Sequence, residues 1–320
     1  MRTLDGAVLY MVDCEKGEGI ELAKEFKVGG YPTYVLTNSE GTPIARWAGY
    51  AKDYFLETMA EFMADLTTID ARAAKFSQQP NHKDAIALAK FHADAGDFKL
   101  AVQYFIQADE LDAENDYSYD IFENTAGGVR GGIFTYEEAA SAAEKVFLSE
   151  KAEDKVQTAG MMSGLARRTE KTADQAMYLK RGIDIQVAAD DDHTLRNQKR
   201  LLIDYNLYVT GDSVQAVELK KSTYADNWTE DPNALNSFAW WCFENLVNLE
   251  EAELLSRKAV ELSQPGGDRA QILDTVAQIC KARGKLDEAI VLMKQAAADD
   301  PENAQWKESL TEFESELARN

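Results

Sequence analysis

The chain has 320 residues, of which 45% are hydrophobic and 28% charged, an ordinary balance for a globular protein. Its 34 basic and 56 acidic residues leave a formal charge of −22, a surface that repels phosphate backbones and argues against a nucleic-acid partner. No apolar run approaches the roughly 18 residues that suggest a membrane span, and "MRTLDGAVLYMVDC" (1–14) reads as neither a signal peptide nor an anchor.

In chain order, "GAVLYMVDC" (6–14) is a short apolar run expected to form a strand buried on both faces. "GIELAKEFKV" (19–28) sets Ile20, Leu22, Ala23 and Phe26 at helical spacing, and Gly29-Gly30 are expected to stop that helix by allowing positive φ. "YPTYVLT" (31–37) is the next strand, "NSEGTP" (38–43) a turn, and "IARWAGY" (44–50) a returning strand. "AKDYFLETMAEFMADL" (51–66) is an amphipathic helix with Phe55, Met59, Phe62, Met63 and Leu66 on one face.

This order, with "VGGYPT" (28–33) and the "EG…R-x-x-GY" hairpin, resembles the C-terminal half of the thioredoxin family. The resemblance implies a cis bond before Pro32, a Tyr31 backbone that pairs with an extended substrate peptide, and Pro32 beside the redox cysteines. Those cysteines have no counterpart. Cys14, Cys242 and Cys280 are far apart, no CxxC exists, and Cys14 sits at no helix N-terminus that would activate it. His82, His92 and His193 are equally scattered, so no metal site, catalytic residue or cofactor is expected. The resemblance implies that the family's first strands and CxxC helix either lie upstream of this chain or are lost in a degenerate remnant of the fold, and that an intact relative would be a protein-disulfide oxidoreductase.

From about residue 81 a hexad returns: "GDFKLA" (96–101), "FTYEEA" (134–139), "KTADQA" (171–176), "GDSVQA" (211–216), "VNLEEA" (247–252) and "GKLDEA" (284–289). Its final alanines stand 38, 37, 40, 36 and 37 residues apart. Segments 82–115 and 270–303 resemble the tetratricopeptide (TPR) repeat, with Leu88-Ala89, Gly96, Ala101 and Phe105 in the first and Val276-Ala277, Gly284, Ala289, Met293 and Pro301 in the second. Small residues let paired helices approach, and stacking of neighbouring hairpins makes a continuous core. Cys242 and Cys280 read as small core hydrophobes. "AGGVRGG" (126–132) lacks the Gly-Lys-Ser/Thr of a phosphate loop and is expected to be a loop between helices.

The expectation is therefore a partial thioredoxin-like α/β domain over 1–75 and an all-α TPR-like solenoid of about six hairpins over 76–320, joined by "KFSQQPNHKD" (75–84) as a hinge. The expected function is binding of a protein or peptide partner, of neutral or basic character, without disulfide chemistry in this chain. A purely structural adaptor is the alternative. Tyr31 and Pro32 are the candidate substrate-binding residues. His92, Asn206, Trp240, Trp241 and Gln278, on the first helices of hairpins, are the candidate partner contacts.

Overall fold

The computed structural model describes residues 6–112 and 114–319. The chain divides into two compact units, Met1–Gln186 and Val187–Asn320.

In the first unit the run 6–14 is irregular rather than a strand, and it faces solvent: Val8 is 96% exposed and Met11 83%. A strand is held by its neighbours' ladder, and among the described residues the sheet has two strands that pair with each other, which leaves this run no ladder to join. Helix α1 (Gly19–Glu25) follows. Its stop is not the glycine pair. Lys27 takes the left-handed conformation at φ 49°, and the Val28 N–H returns to the Ala23 carbonyl at 2.7 Å. This turn directs the Phe26 and Lys27 carbonyls to the Arg46 guanidinium.

Strands β1 (Thr33–Thr37) and β2 (Pro43–Ala48) form an antiparallel hairpin, with Tyr34 opposite Trp47 and Leu36 opposite Ala45. Helix α2 (Lys52–Met63) covers one face. There Trp47 stacks on Tyr34 at 5.3 Å and on Phe62 at 6.3 Å, and Ile44 and Met59 close the core.

Helix α3 (Ile69–Gln78) runs through the expected hinge, and only residues 79–81 separate it from α4 (His82–Asp94). Two features replace flexibility there. Phe76 packs with Leu88 in a common core, and Arg72 pairs at 2.6 Å with Asp84, both side chains 3% exposed. Helices α5 (Phe98–Leu111), α6 (Ser118–Val129), α7 (Tyr136–Leu148), α8 (Ala152–Arg168) and α9 (Thr172–Ile183) complete the unit as antiparallel pairs α4–α5, α6–α7 and α8–α9.

The second unit begins with α10 (Asp192–Tyr205), which runs on as a π-helical turn (Asn206–Thr210) before α11 (Ser213–Lys221). Helices α12 (Pro232–Glu244), α13 (Leu249–Leu262), α14 (Gly267–Ala282), α15 (Leu286–Asp299) and α16 (Ala304–Leu317) follow. The pairs α12–α13 and α14–α15 repeat the antiparallel packing, and Cys242 and Cys280 are fully buried within it. The molecule is thus a mostly helical array with a small two-stranded α/β region.

One geometric rule links the hairpins. Each first helix is followed by a left-handed residue: Gly96, Gly132, Glu170, Gly211, Leu246 and Gly284, all with φ between 52° and 77°. In five of them the next N–H returns to the carbonyl five residues back, as Asp97 does to His92 at 2.8 Å and Lys285 to Cys280 at 2.9 Å. Glycine enters this conformation freely, whereas Glu170 and Leu246 hold it against a cost of roughly 1–2 kcal/mol. The hexad alanines Ala101, Ala139, Ala216, Ala252 and Ala289 are fully buried at the crossings. The third copy needs a correction: Ala176 is only half-buried, and Gln175, 7% exposed, occupies the crossing, with Leu179 below it. Gln175 stands five residues after Glu170, as Ala101 does after Gly96.

The expected loop at 126–132 is also corrected. Helix α6 continues to Val129, and Gly127 and Gly128 are helical because aromatic rings close on them. A Cβ at Gly128 would stand 2.7 Å from the Phe134 ring, while one at Gly164 in α8 would meet open space. Gly128→Ala is therefore expected to destabilise by about 1–2 kcal/mol, and Gly164→Ala to stabilise by roughly 0.5–1 kcal/mol. Chemical denaturation of the two variants, which change the same atoms with opposite sign, checks this.

Candidate functional site

At the hairpin, the Tyr31–Pro32 peptide bond is cis, as the sequence resemblance implied. The Tyr31 side chain is exposed, and the Pro32 carbonyl accepts the Gly49 N–H at 2.9 Å. All three cysteines are free thiols.

Arg46, not singled out from the sequence, joins this region to the helices. It is 5% exposed on β2. Its Nε donates to the Asp94 carbonyl at 2.9 Å, its Nη2 to the Lys27 carbonyl at 2.9 Å, and its Nη1 to the Phe26 carbonyl. One guanidinium thus ties the end of α1 and strand β2 to the last turn of α4. The signal was present in the "R-x-x-G-Y" of the hairpin. Lys27 adds a second link, donating to both Asp97 carboxylate oxygens at 2.8 Å.

The candidate contact residues have separate environments. His92 is packed rather than presented. Its ring stacks on Tyr104 at 5.7 Å, and its Nδ1 lies 3.5 Å from Asp97. Burial pulls the imidazole below its ordinary pKa, against the pull of Asp97, so it is neutral at pH 7. Asn206 opens the π turn, and its amide donates to the Leu202 carbonyl at 2.8 Å. Trp241 is half-buried against Phe238. Trp240, 36% exposed, contacts Phe243. Gln278 donates to Asp274 at 3.2 Å, and burial raises that carboxyl's pKa.

The first unit instead presents a series of carboxyls on its first helices that sequence reasoning missed: Asp94 on α4, Asp120 and Glu123 on α6, and Asp154 on α8. Neighbouring protein desolvates each of them and raises its pKa, Asp94 to about 6. They also feel one another: Asp120 and Asp94 act on Glu123, and Asp154 acts on Asp120. Lys90 and Lys151 moderate Asp120. Arg46 and Lys90 act on Asp94, and Lys151 pairs with Asp154 at 3.7 Å, so the row is acidic but partly countered by cations of its own unit. With 56 acidic residues in the chain, nothing in their local sequence distinguished these four.

In the second unit Glu253, Cys280 and Glu288 bring three ligand-type atoms within 4.8 Å of one another. The surrounding cations determine what this cluster does. Glu253 receives Arg257 at 3.0 Å, Lys285 at 2.9 Å and Arg283, and Arg257 also reaches Glu288 at 2.6 Å and the Cys280 sulfur at 3.3 Å. These partners hold Glu253 down to about 2 although its burial works against them. Burial drives the Cys280 thiol up to about 11 and the Cys242 thiol to about 12. Three cations on one carboxylate leave no charge to attract a metal, and a neutral thiol is a poor ligand. The cluster is an ion-pair node joining α13, α14 and α15.

No protein-family model and no curated protein matches the chain. Among the described residues, no helix is long and apolar enough to cross a membrane.

Proposed function

We propose that this chain is a thioredoxin-like region fused to TPR-like hairpins, and that it binds a protein or peptide through the first helices of those hairpins. The observation that carries this reading is the row of acidic side chains Asp94, Asp120, Glu123 and Asp154 on three successive first helices, Asp94 and Glu123 exposed and Asp120 and Asp154 half-buried, each with its pKa raised. The buried crossings and the shared left-handed stop support the TPR-like part, and the β1–β2–α2 order supports the thioredoxin-like part. The ligand favoured for this face is a basic segment, drawn in by a field that salt weakens. On the same reading the chain performs no thiol–disulfide exchange. Cys242 and Cys280 are fully buried with raised pKa, and Cys14 is remote from both in sequence.

Fluorescence anisotropy with a labelled lysine-rich peptide tests the reading. The peptide is expected to bind at pH 7, with affinity falling up to about fivefold for each of Asp120→Asn, Glu123→Gln and Asp154→Asn. Carboxyls with raised pKa lose their charge as pH falls through the raised value. Binding should therefore weaken as pH drops below about 6, where Asp94 titrates, well above the ordinary carboxylate range. Equal affinity across the three variants and from pH 7 to pH 5 would remove this face as the site.

A further inference from the structure

Helix α5, the second helix of the first hairpin, buries Ala101, Phe105 and Ala108 on one side. Its other side lines a shallow open groove of about 410 Å³, and Phe134, from the connection between α6 and α7, completes the lining. Val102, Ile106 and Phe134 make the groove apolar along its middle, and Ile106 is 42% exposed there. The two ends carry opposite charges, Lys99 at the start of α5 and Glu110 near its close. Among the described residues neither of these side chains pairs with an opposite charge.

The groove is complementary to itself. Positions 99, 102, 103, 106, 107 and 110 follow the three-and-four spacing of one helix face. Counted backwards from the midpoint between Tyr104 and Phe105, Lys99 changes places with Glu110, and Gln103 with Ile106. A second α5 laid antiparallel in the groove therefore sets Lys99 against the partner's Glu110 at one end and Glu110 against the partner's Lys99 at the other. The ends lie about 16 Å apart at 1.5 Å per residue, and a crossing near 20° keeps both in reach over that length. A uniformly basic or acidic peptide matches one end and is repelled at the other, whereas a second copy matches both. Twofold symmetry makes every contact twice and closes the assembly at two copies.

We propose that the α5 groove is a homodimer interface, in which two copies of the chain pack α5 against α5 in antiparallel fashion, with Ile106 near the twofold axis and a Lys99–Glu110 pair at each end. This goes beyond the peptide-binding reading and does not rest on it, since the groove shares no residue with the acidic row. A contact of about three helical turns is small for a protein interface, so the dimer is a weak one, in the micromolar range.

The experiment is sedimentation equilibrium of the full chain over a concentration series. The net charge of −22 opposes association, so it is run in about 150 mM salt, where a Debye length of roughly 8 Å screens the overall repulsion. A reversible monomer–dimer equilibrium is expected. Ile106→Glu, which brings carboxylates together near the axis, should raise Kd by about tenfold or more. Lys99→Glu and Glu110→Lys should each raise it by about tenfold, because two attractions become two repulsions. The double variant Lys99→Glu/Glu110→Lys has the parent's net charge and reversed pairs, and its Kd should return to within about threefold of the parent's. An equimolar mixture of the two single variants should form a heterodimer of similar strength, since opposite charges then meet at both ends. All three substituted side chains are exposed, and circular dichroism checks that each variant is folded. A parent chain that stays monomeric leaves the groove to some other partner and overturns the proposal. So do growth beyond the dimer, a Kd unmoved by Ile106→Glu in a folded chain, and a double variant as weak as the single ones.

Discussion

Arg46→Met is expected to destabilise the first unit by roughly 3–5 kcal/mol, because several buried acceptors are left without a donor at about 1–3 kcal/mol each. Methionine fills much of the same volume, so the loss is one of hydrogen bonding. Three backbone carbonyls, those of Phe26, Lys27 and Asp94, lose their donor at once. Arg46→Lys should recover little, because a single ammonium on a shorter stem cannot reproduce the planar fork. The loss should be local. Amide exchange is expected to accelerate across β1, β2 and α2, while the α6–α7 and α8–α9 pairs keep their protection. A chain whose unfolding free energy stays within about 0.5 kcal/mol of the parent would show that Arg46 is not the anchor.

Glu253→Gln should destabilise the second unit by about 3 kcal/mol, because it leaves Arg283 and Lys285 around a neutral amide, while Arg257 keeps Glu288. The pH dependence gives a second, independent readout. The folded-state pKa of about 2 lies below the ordinary 4.5. The stabilisation is therefore fully present above pH 4.5 and is lost as pH falls toward 2, a change of about 3 kcal/mol by linkage. Stability curves of the parent and the variant should converge as pH approaches 2. Parallel curves between pH 5 and pH 2.5 would contradict the role given to this carboxylate.

What was readable in the sequence follows from how local each signal is. Small residues at crossings are a local requirement, so Ala101, Ala139, Ala252 and Ala289 marked their hairpins. In the third hairpin a neighbouring alanine satisfied the pattern while Gln175 took the crossing, and a one-residue error resulted. The run 6–14 has strand composition, but strand formation depends on partners elsewhere, and the described sheet supplies none. Gly127 and Gly128 look like loop residues until Phe98 and Phe134 are seen to close on them. Glu170 and Leu246 adopt a conformation ordinarily left to glycine, and no local pattern announces it. The site was harder still. Arg46 and Glu253 gain their roles from groups 19 to 48 and 4 to 32 residues away, and the carboxyl row of the first unit is assembled across helices.

The π turn at Asn206–Thr210 acts on the phase of the chain. Such a turn takes up nearly one residue more than an α turn, so side chains beyond it sit about 100° away from where uninterrupted α-helical counting would put them. The interval between crossing residues is longest across this point, 41 residues from Gln175 to Ala216 against 36 to 38 elsewhere. The surplus is thus absorbed partly as rotation. In the shifted phase the Tyr208 hydroxyl reaches the Asn245 side chain on the following hairpin at 2.6 Å, and Gly211 at φ 72° then restores the common stop before α11. The repeat keeps time on either side of a beat that carries an extra step.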